Sequence, residues 1–222
     1  MSTMAYLPLP GCQIDPAYAR NATSKGRHKR LFDCALILLA LPVLLPIYTI
    51  IFYLVRATST GPAFFIQTRV GRDGVPFGMI KFRSMQINAE ALLPQILVDN
   101  DRDGLCFKAK DDPRITRFGR FLRRSSLDEL PQLINVLKGE MSLVGPRPAI
   151  PQEVAAYPVA ARERLSVLPG ITGAWQVAGR ADLGFDAMIS LDIAYARAPL
   201  FRTDVVILWK TVAAVISGRG AY

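Results

Sequence analysis

Residues 34–55 read CALILLALPVLLPIYTIIFYLV, and no charged side chain interrupts them. At a rise of about 1.5 Å per residue the stretch is roughly 33 Å long as a helix, enough to cross a hydrocarbon core of about 30 Å. It lies behind Lys25, Arg27, His28, Lys29 and Arg30, too far in and too long for a cleaved signal peptide, so it reads as a permanent membrane segment. Pro42 and Pro46 decide its path. Each removes one backbone donor, freeing the carbonyls of Leu38 and Pro42, and the i, i+4 spacing puts both defects near one face. Basic sequence flanks the segment on both sides, with Arg56, Arg69, Arg72, Lys81 and Arg83 following it. Two bends in nearly one direction and positive charge at both ends predict a re-entrant helix, broken at Pro42 and Pro46, that returns to the cytoplasmic face. The alternative is a spanning helix with a tolerated proline kink.

Outward from this segment, a chain of 222 residues is one large domain or a domain with an appendage. Its 51% hydrophobic content and mean hydropathy of +0.25 are concentrated in the membrane stretch. A net charge of +9 suits either a nucleic acid or an anionic membrane surface. Residues 113–124, PRITRFGRFLRR, help to decide: on a helix, Ile115, Phe118, Phe121 and Leu122 share one face while Arg114, Arg117, Arg120 and Arg124 fill much of the rest. That is the pattern of a helix lying in a membrane interface, with a solvated arginine face over a core stripe as the alternative. No nucleic-acid motif accompanies it, so membrane lipids rather than nucleic acid are the expected partners. The lone His28 stands in the basic run before the membrane, which leaves a histidine-dependent nucleophile without a plausible base. Cys12, Cys34 and Cys106 form neither a disulfide framework nor a zinc site, and the catalytic side faces a reducing compartment. No P-loop or GxGxxG loop is present. Carboxylates must carry the chemistry.

Residues 125–148, SSLDELPQLINVLKGEMSLVGPRP, supply them. Asp128 and Glu129 follow two candidate caps, Ser125 and Ser126, and Pro131 fits a first turn, which predicts the acids at a helix N-terminus where phosphate is favoured. Adjacent helical residues point about 100° apart, so one acid can attack while the other binds metal or moves a proton. The bland alternatives are Asp128 as a mere cap, or a capping box of Ser126 and Glu129. Leu130 to Lys138 reads as a helix stopped by Gly139. In Gly145-Pro146-Arg147-Pro148, each proline fixes its own φ and restricts the residue before it, so Arg147 is presented from a stiff backbone, its guanidinium fork matched to two phosphate oxygens.

Elsewhere, residues 1–30 read as mobile, and Ala63 to Val70 and Val75 to Met85 as a hairpin around Gly71–Gly74. The second strand carries Lys81 and Arg83, which are either half-exposed or part of a phosphate pocket. Residues 89–98, 152–167, 185–197 and 202–217 read as helices, the last amphipathic around Lys210. The expected class is α+β, mainly helical: an N-terminal re-entrant membrane helix, a small β-hairpin, and amphipathic interfacial helices around a cytoplasmic active site.

The order of these pieces resembles the bacterial sugar transferases, monotopic phosphoglycosyl transferases that begin exopolysaccharide and other glycoconjugate assembly. The likeness covers residues 28–222 and rests on KRLFD at 29–33, the proline-broken helix, GPAFFIQTRVGRDG at 61–74, KFRSM at 81–85, the run from Asp112 to Pro148, PGITGAWQVAGR at 169–180 and the closing GRGAY. Leu45 stands before Pro46 where a Ser-Pro pair is frequent in the family, and Pro42 is extra. The resemblance implies three parts: a mobile basic segment 1–30, a re-entrant membrane helix 31–56 and a cytoplasmic phosphoglycosyl transferase domain 57–222. It further implies transfer of a sugar-1-phosphate from a UDP-sugar to polyprenyl (undecaprenyl) phosphate at the bacterial inner membrane, with Mg²⁺. Asp128 becomes the nucleophile on the β-phosphorus, giving a sugar-phosphoryl-aspartate and UMP. Glu129 helps hold Mg²⁺ or moves a proton, and Arg147 offsets phosphate charge. Lys81, Arg123 and Asp192 match further polar positions of the family's site. Gln176 and Arg180 are the candidates for nucleotide contacts, and Trp175 suits packing. A homo-oligomer is compatible with the chain. The competing class is a membrane-tethered basic scaffold or nucleic-acid binder without catalysis.

Overall fold

The computed structural model describes residues 16–87, 89, 112–179 and 184–217. The apolar stretch lies inside one helix, α1, that runs from Pro16 to Thr58. Helix α1 continues through both prolines, so the break expected at Pro42 and Pro46 is not an interruption of the helix: a proline removes one ladder bond, and the turns on either side supply the rest. The helix also begins inside the segment 1–30 that was expected to be mobile. Its Gly26–Thr58 portion has the length and apolarity of a membrane helix, with a hydropathy of 2.6.

Helix α1 is fastened to the rest of the fold at both ends of the apolar stretch. Lys29 donates to Asp204 at 2.7 Å, and Arg30 donates to the carbonyls of Val136 and Leu137. Asp33 accepts from the Ser142 hydroxyl at 2.6 Å, and Ile37 packs with Phe77, Met79, Val136 and Met141. KRLFD is thus a row of anchors. At the far end Ile51 and Val55 pack with Ala63, Phe82 and Leu122. Between these anchors Leu38, Leu39, Val43 and Leu45 stand exposed.

The hairpin forms as expected, with β1 (Phe64–Val70) antiparallel to β2 (Pro76–Phe82) and Phe65 opposite Lys81. Its turn places Asp73 at φ 58°, a conformation that short polar side chains tolerate. Thr116 then caps α2 (Arg117–Arg124) by accepting from the Gly119 N–H at 2.9 Å. Leu122 and Phe118 of α2 face the Ile51–Phe82 cluster, whereas Arg117, Arg120, Arg124 and Phe121 are exposed. Arg114 departs from that basic face. It precedes the helix, buried, in an ion pair with Asp112 at 2.6 Å.

Helix α3 (Gln132–Lys138) ends at Gly139, φ 86°, whose N–H closes the last turn. A second sheet pairs β3 (Ser142–Val144) in parallel with β4 (Gly170–Thr172). The single helix expected at 152–167 is instead α4 (Pro151–Ala155) followed by a 3₁₀ helix at Val159–Ser166, because Pro158 bars Tyr157 from the helical region. Helix α5 (Ala174–Ala178), α6 (Phe185–Arg197) and α7 (Phe201–Ser217) complete the fold, the last two within a residue of expectation. The helix expected at 89–98 lies outside the described residues but for Ala89.

Helix α7 packs Ile207 and Leu208 against Val144 and Tyr195. It buries Asp204, bonded to Lys29 and to the Tyr195 hydroxyl, and bonds Thr211 to Thr172, while Phe201, Val205, Val206 and Trp209 point outward, Trp209 at 78% exposure. The Phe32 and Phe201 rings meet edge-on at 4.7 Å, joining this apolar face to α1.

Candidate active site

The acid pair sits in a 3₁₀ turn, Leu127–Glu129, ahead of α3 rather than in its first turn. Ser126 leads into that turn with φ 56° and makes no side-chain capping bond, which excludes the capping-box reading, and Asp128 is not the cap of α3 because Pro131 holds that position. The sequence placed the acids beside a helix N-terminus correctly, but Pro131 occupies the cap position and the helix begins after it.

Asn135 sets the distance from this turn to the hairpin. Fully buried, it accepts from the Ile80 N–H at 3.0 Å and donates to the Gly78 carbonyl at 2.8 Å, binding α3 to the strand that carries Lys81. Lys81 then reaches Glu129 Oε1 at 2.9 Å, and Arg147 reaches the same oxygen at 3.1 Å. Burial raises the cost of a charge on Glu129, yet the Lys81 ammonium and the Arg147 guanidinium outweigh it and hold the carboxyl down at about 2.

Asp128 is the opposite case. It is 7% exposed, and among the described residues its carboxylate enters no ion pair and no side-chain hydrogen bond. Burial pushes it up to about 6, against the pull of Lys81 and Arg123 and with the charge of Glu129 adding to the rise. Arg123 stands close by, its Nε held by the Ser84 hydroxyl at 2.9 Å. One acid is locked in its charged form by two cations. Its neighbour is left with free oxygens in a cationic, largely dry setting, which is the state an oxygen nucleophile needs.

The other expected members stand apart from the acid pair or outside the described residues. Arg83 is buried but donates to the Ser59 carbonyl at 3.2 Å, serving the end of α1 and not the acid pair. Beyond the end of the strand, its alternation with Lys81 no longer sets where its side chain goes. Asp192, 1% exposed, is paired with Arg164 beneath the Arg147 loop and offers no surface to a substrate. Gln176 lies on α5 and donates to the Ile171 carbonyl at 3.1 Å, a local bond within its own β4–α5 unit. Arg180 lies outside the described residues. Trp175 is buried in the core cluster of Tyr157 and Met188, as its packing role required.

A buried Asp128 beside a half-buried Glu129, with Lys81, Arg123 and Arg147 around them on an α+β body carried by an apolar helix, fits a membrane-associated enzyme that handles phosphate esters. The sequence profile of the bacterial sugar transferases matches residues 24–218, and the chain belongs to that family. It is 48% identical over 162 residues to the galactosyl transferase CpsE of Streptococcus agalactiae, covering 72% of this chain and 36% of that protein. It is 39% identical over 201 residues to the exopolysaccharide production protein ExoY of Sinorhizobium fredii, covering 89% of both chains. The undecaprenyl-phosphate galactose phosphotransferase of Salmonella typhimurium is 42% identical over 201 residues, covering 87% of this chain and 41% of that one. The chain thus spans well under half of the CpsE and Salmonella relatives and most of ExoY.

Proposed function

We propose that this protein transfers a sugar-1-phosphate from a UDP-sugar to polyprenyl phosphate at the cytoplasmic face of the bacterial inner membrane, in the initiating step of exopolysaccharide or related glycan synthesis. The observation that carries this reading is the asymmetry of the acid pair, with Glu129 held by Lys81 and Arg147 and Asp128 buried with no ion pair or side-chain hydrogen bond among the described residues. An Asp128 oxygen attacks the phosphorus that bears the sugar, the bond from that phosphorus to the bridging oxygen breaks, and UMP leaves. An oxygen of polyprenyl phosphate then attacks the same phosphorus, the bond to Asp128 breaks and the carboxylate is regenerated. Two steps let one site serve a soluble donor and a lipid acceptor in turn. Arg147, 35% exposed, keeps free donors for phosphate oxygens while it holds Glu129.

The donor set suits Mg²⁺, which typically takes one or two carboxylates with the remainder from water and substrate phosphates. Asp128 and the second oxygen of Glu129 would hold the ion, and its contribution would be neutralisation of diphosphate charge. The membrane geometry supports the same reading. Asp33 and Val55 are about 33 Å apart along a straight helix, yet both are packed onto one body that also bears Lys81 and Glu129. A spanning α1 would draw that charged body into hydrocarbon, at a cost of several kcal/mol or more per buried charge. A shallow insertion with both ends on one side avoids this.

The test is covalent. Wild-type protein given UDP-sugar without acceptor should release UMP and gain the mass of one sugar phosphate on the peptide containing Asp128. UMP release that strictly requires polyprenyl phosphate, with no adduct on rapid quench, would establish direct transfer instead. Inactivity with a full panel of UDP-sugars would leave a membrane-tethered scaffold.

A further inference from the structure

The Arg147 loop is held by its carbonyls. Pro146 and Pro148 lack an N–H and have fixed φ, so the orientation of the loop depends on ψ, which each peptide carbonyl reports. Four consecutive carbonyls accept a donor. Pro146 O takes the Gly170 N–H at 2.9 Å and Ala149 O takes the Val70 N–H at 2.9 Å. The two between them, both on the C-terminal side of the Arg147 side chain, are bound by side chains: Arg164 Nη2 donates to Arg147 O at 2.9 Å, and Arg69 Nη1 donates to Pro148 O at 2.9 Å.

Each of these arginines is itself aimed. Arg69, on β1, rests on Gln67 Oε1 through Nε at 3.0 Å and Nη2 at 2.6 Å. Arg164 is 3% exposed, gives Nη1 to the Tyr157 hydroxyl at 2.6 Å, and has its charge met by Asp192. A buried cation matched to a buried anion and pointed at a loop carbonyl is an expensive arrangement in an apolar core, where hydrophobic residues would serve stability as well.

We infer that Arg69 and Arg164 are positioning residues that clamp the Arg147–Pro148 backbone from two different elements and so hold the Arg147 guanidinium on Glu129, with Asp192 and Tyr157 aiming Arg164. The inference deepens the transfer reading above and rests on it for its kinetic consequence, but the clamp itself is a property of the loop. Asp192 acts in the site only through Arg164 and Arg147.

Two arms test it on the full chain in lipid nanodiscs. In the first, hydrogen exchange is followed at Gly145, Arg147, Ala149 and Ile150. R69Q and R164K should speed exchange there by about tenfold or more while the hairpin and α6 keep their wild-type rates. R69K, which retains a donor for Pro148 O, should stay close to wild type. Unchanged exchange in R69Q and R164K overturns the clamp whether or not the protein proves active. Should R164K loosen the whole domain, R69Q against R69K decides. In the second arm, each of R69Q and R164K should lower kcat on the order of ten- to hundredfold, the scale of a misplaced catalytic group. In an R147K background the same changes should cost less than about twofold more, since residues acting through one group are not additive. Losses that multiply in that background would mean that the arginines act on substrate directly or on stability at large, and would overturn the inference. A wild type inert toward UDP-sugars and polyprenyl phosphate counts against the transfer reading and leaves the exchange result to judge the clamp.

Discussion

At the residue scale, Asp128 and Glu129 are neighbours given opposite tasks by what reaches them. Glu129 receives Lys81 and Arg147, whereas Asp128 has no ion pair or side-chain hydrogen bond among the described residues and feels the charges of Lys81, Glu129, Arg123 and Arg147. Asp128→Asn keeps the shape and removes the attacking oxygen, so both half-reactions should fall by several orders of magnitude, measured as UMP release and as lipid-linked product. Arg147→Lys keeps a charge beside Glu129 but loses the planar fork, and turnover should drop on the order of ten- to hundredfold, equivalent to ~1.4–2.7 kcal/mol at the transition state. A loss below twofold would place the phosphate elsewhere. The acid pair, Lys81, Arg123 and Arg147 were legible because stiff or capped local sequence announces them. Arg83 and Asp192 stand away from the acid pair for a common reason: a polar residue in a motif does not declare whether it faces a site or props a neighbour. Arg69 and Arg164 were missed outright, although Arg69 shares a strand face with Gln67 and its hairpin register was readable.

At the element scale, α1 and α2 show how tightly the membrane-facing parts are fitted. Asp33 is 2% exposed, and burial raises its carboxyl despite the Ser142 hydroxyl and the nearby Lys29 ammonium. Its native value therefore lies above the unfolded value of about 3.9, and between the two the native state binds more protons, so stability falls as pH rises through that window. Asp33→Asn can still accept from Ser142 but does not titrate. The variant should gain on wild type as pH rises from about 4 until Asp33 is fully ionised, followed by thermal unfolding in detergent; parallel curves would show that Asp33 keeps its unfolded value. Gly119 is required for a different reason. A Cβ there would lie 1.9 Å from the Ser84 carbonyl oxygen, which itself accepts the Thr116 N–H. Gly119→Ala should cost at least ~1–3 kcal/mol by prising α2 from the strand end, read as a lowered unfolding midpoint. The hairpin, α3, α6 and α7 were readable from turn residues and periodicity, whereas the close approach at Gly119 depends on a contact between distant segments that no local pattern contains.

At the scale of the whole molecule, three surfaces stand exposed: the apolar middle of α1, the outward face of α7 with Trp209, and the Arg117, Arg120 and Arg124 side of α2 with Phe121. Exposed apolar surface accompanied by exposed arginines and aromatics is what a protein seated in one leaflet presents. The sequence indicated the apolar segment and its two-sided positive charge, but not that both ends would be anchored to a single body, because the partners of Asp33 and Val55 lie far along the chain. That anchoring leads to a direct test. With Cys12, Cys34 and Cys106 replaced by serine, single cysteines introduced by Arg27→Cys and Thr60→Cys should both react with a membrane-impermeant maleimide in inside-out vesicles and both stay unlabelled in intact cells. A helix crossing the bilayer would expose one site in each preparation, and that result would mean either that the anchors at Lys29, Arg30 and Asp33 release in the membrane or that the body they hold is pulled against the hydrocarbon. Asp33→Ala, which removes the acceptor of the Ser142 hydroxyl, separates these outcomes: weakening an anchor that is already released changes nothing, while weakening one that holds should change the labelling of the Arg27→Cys site.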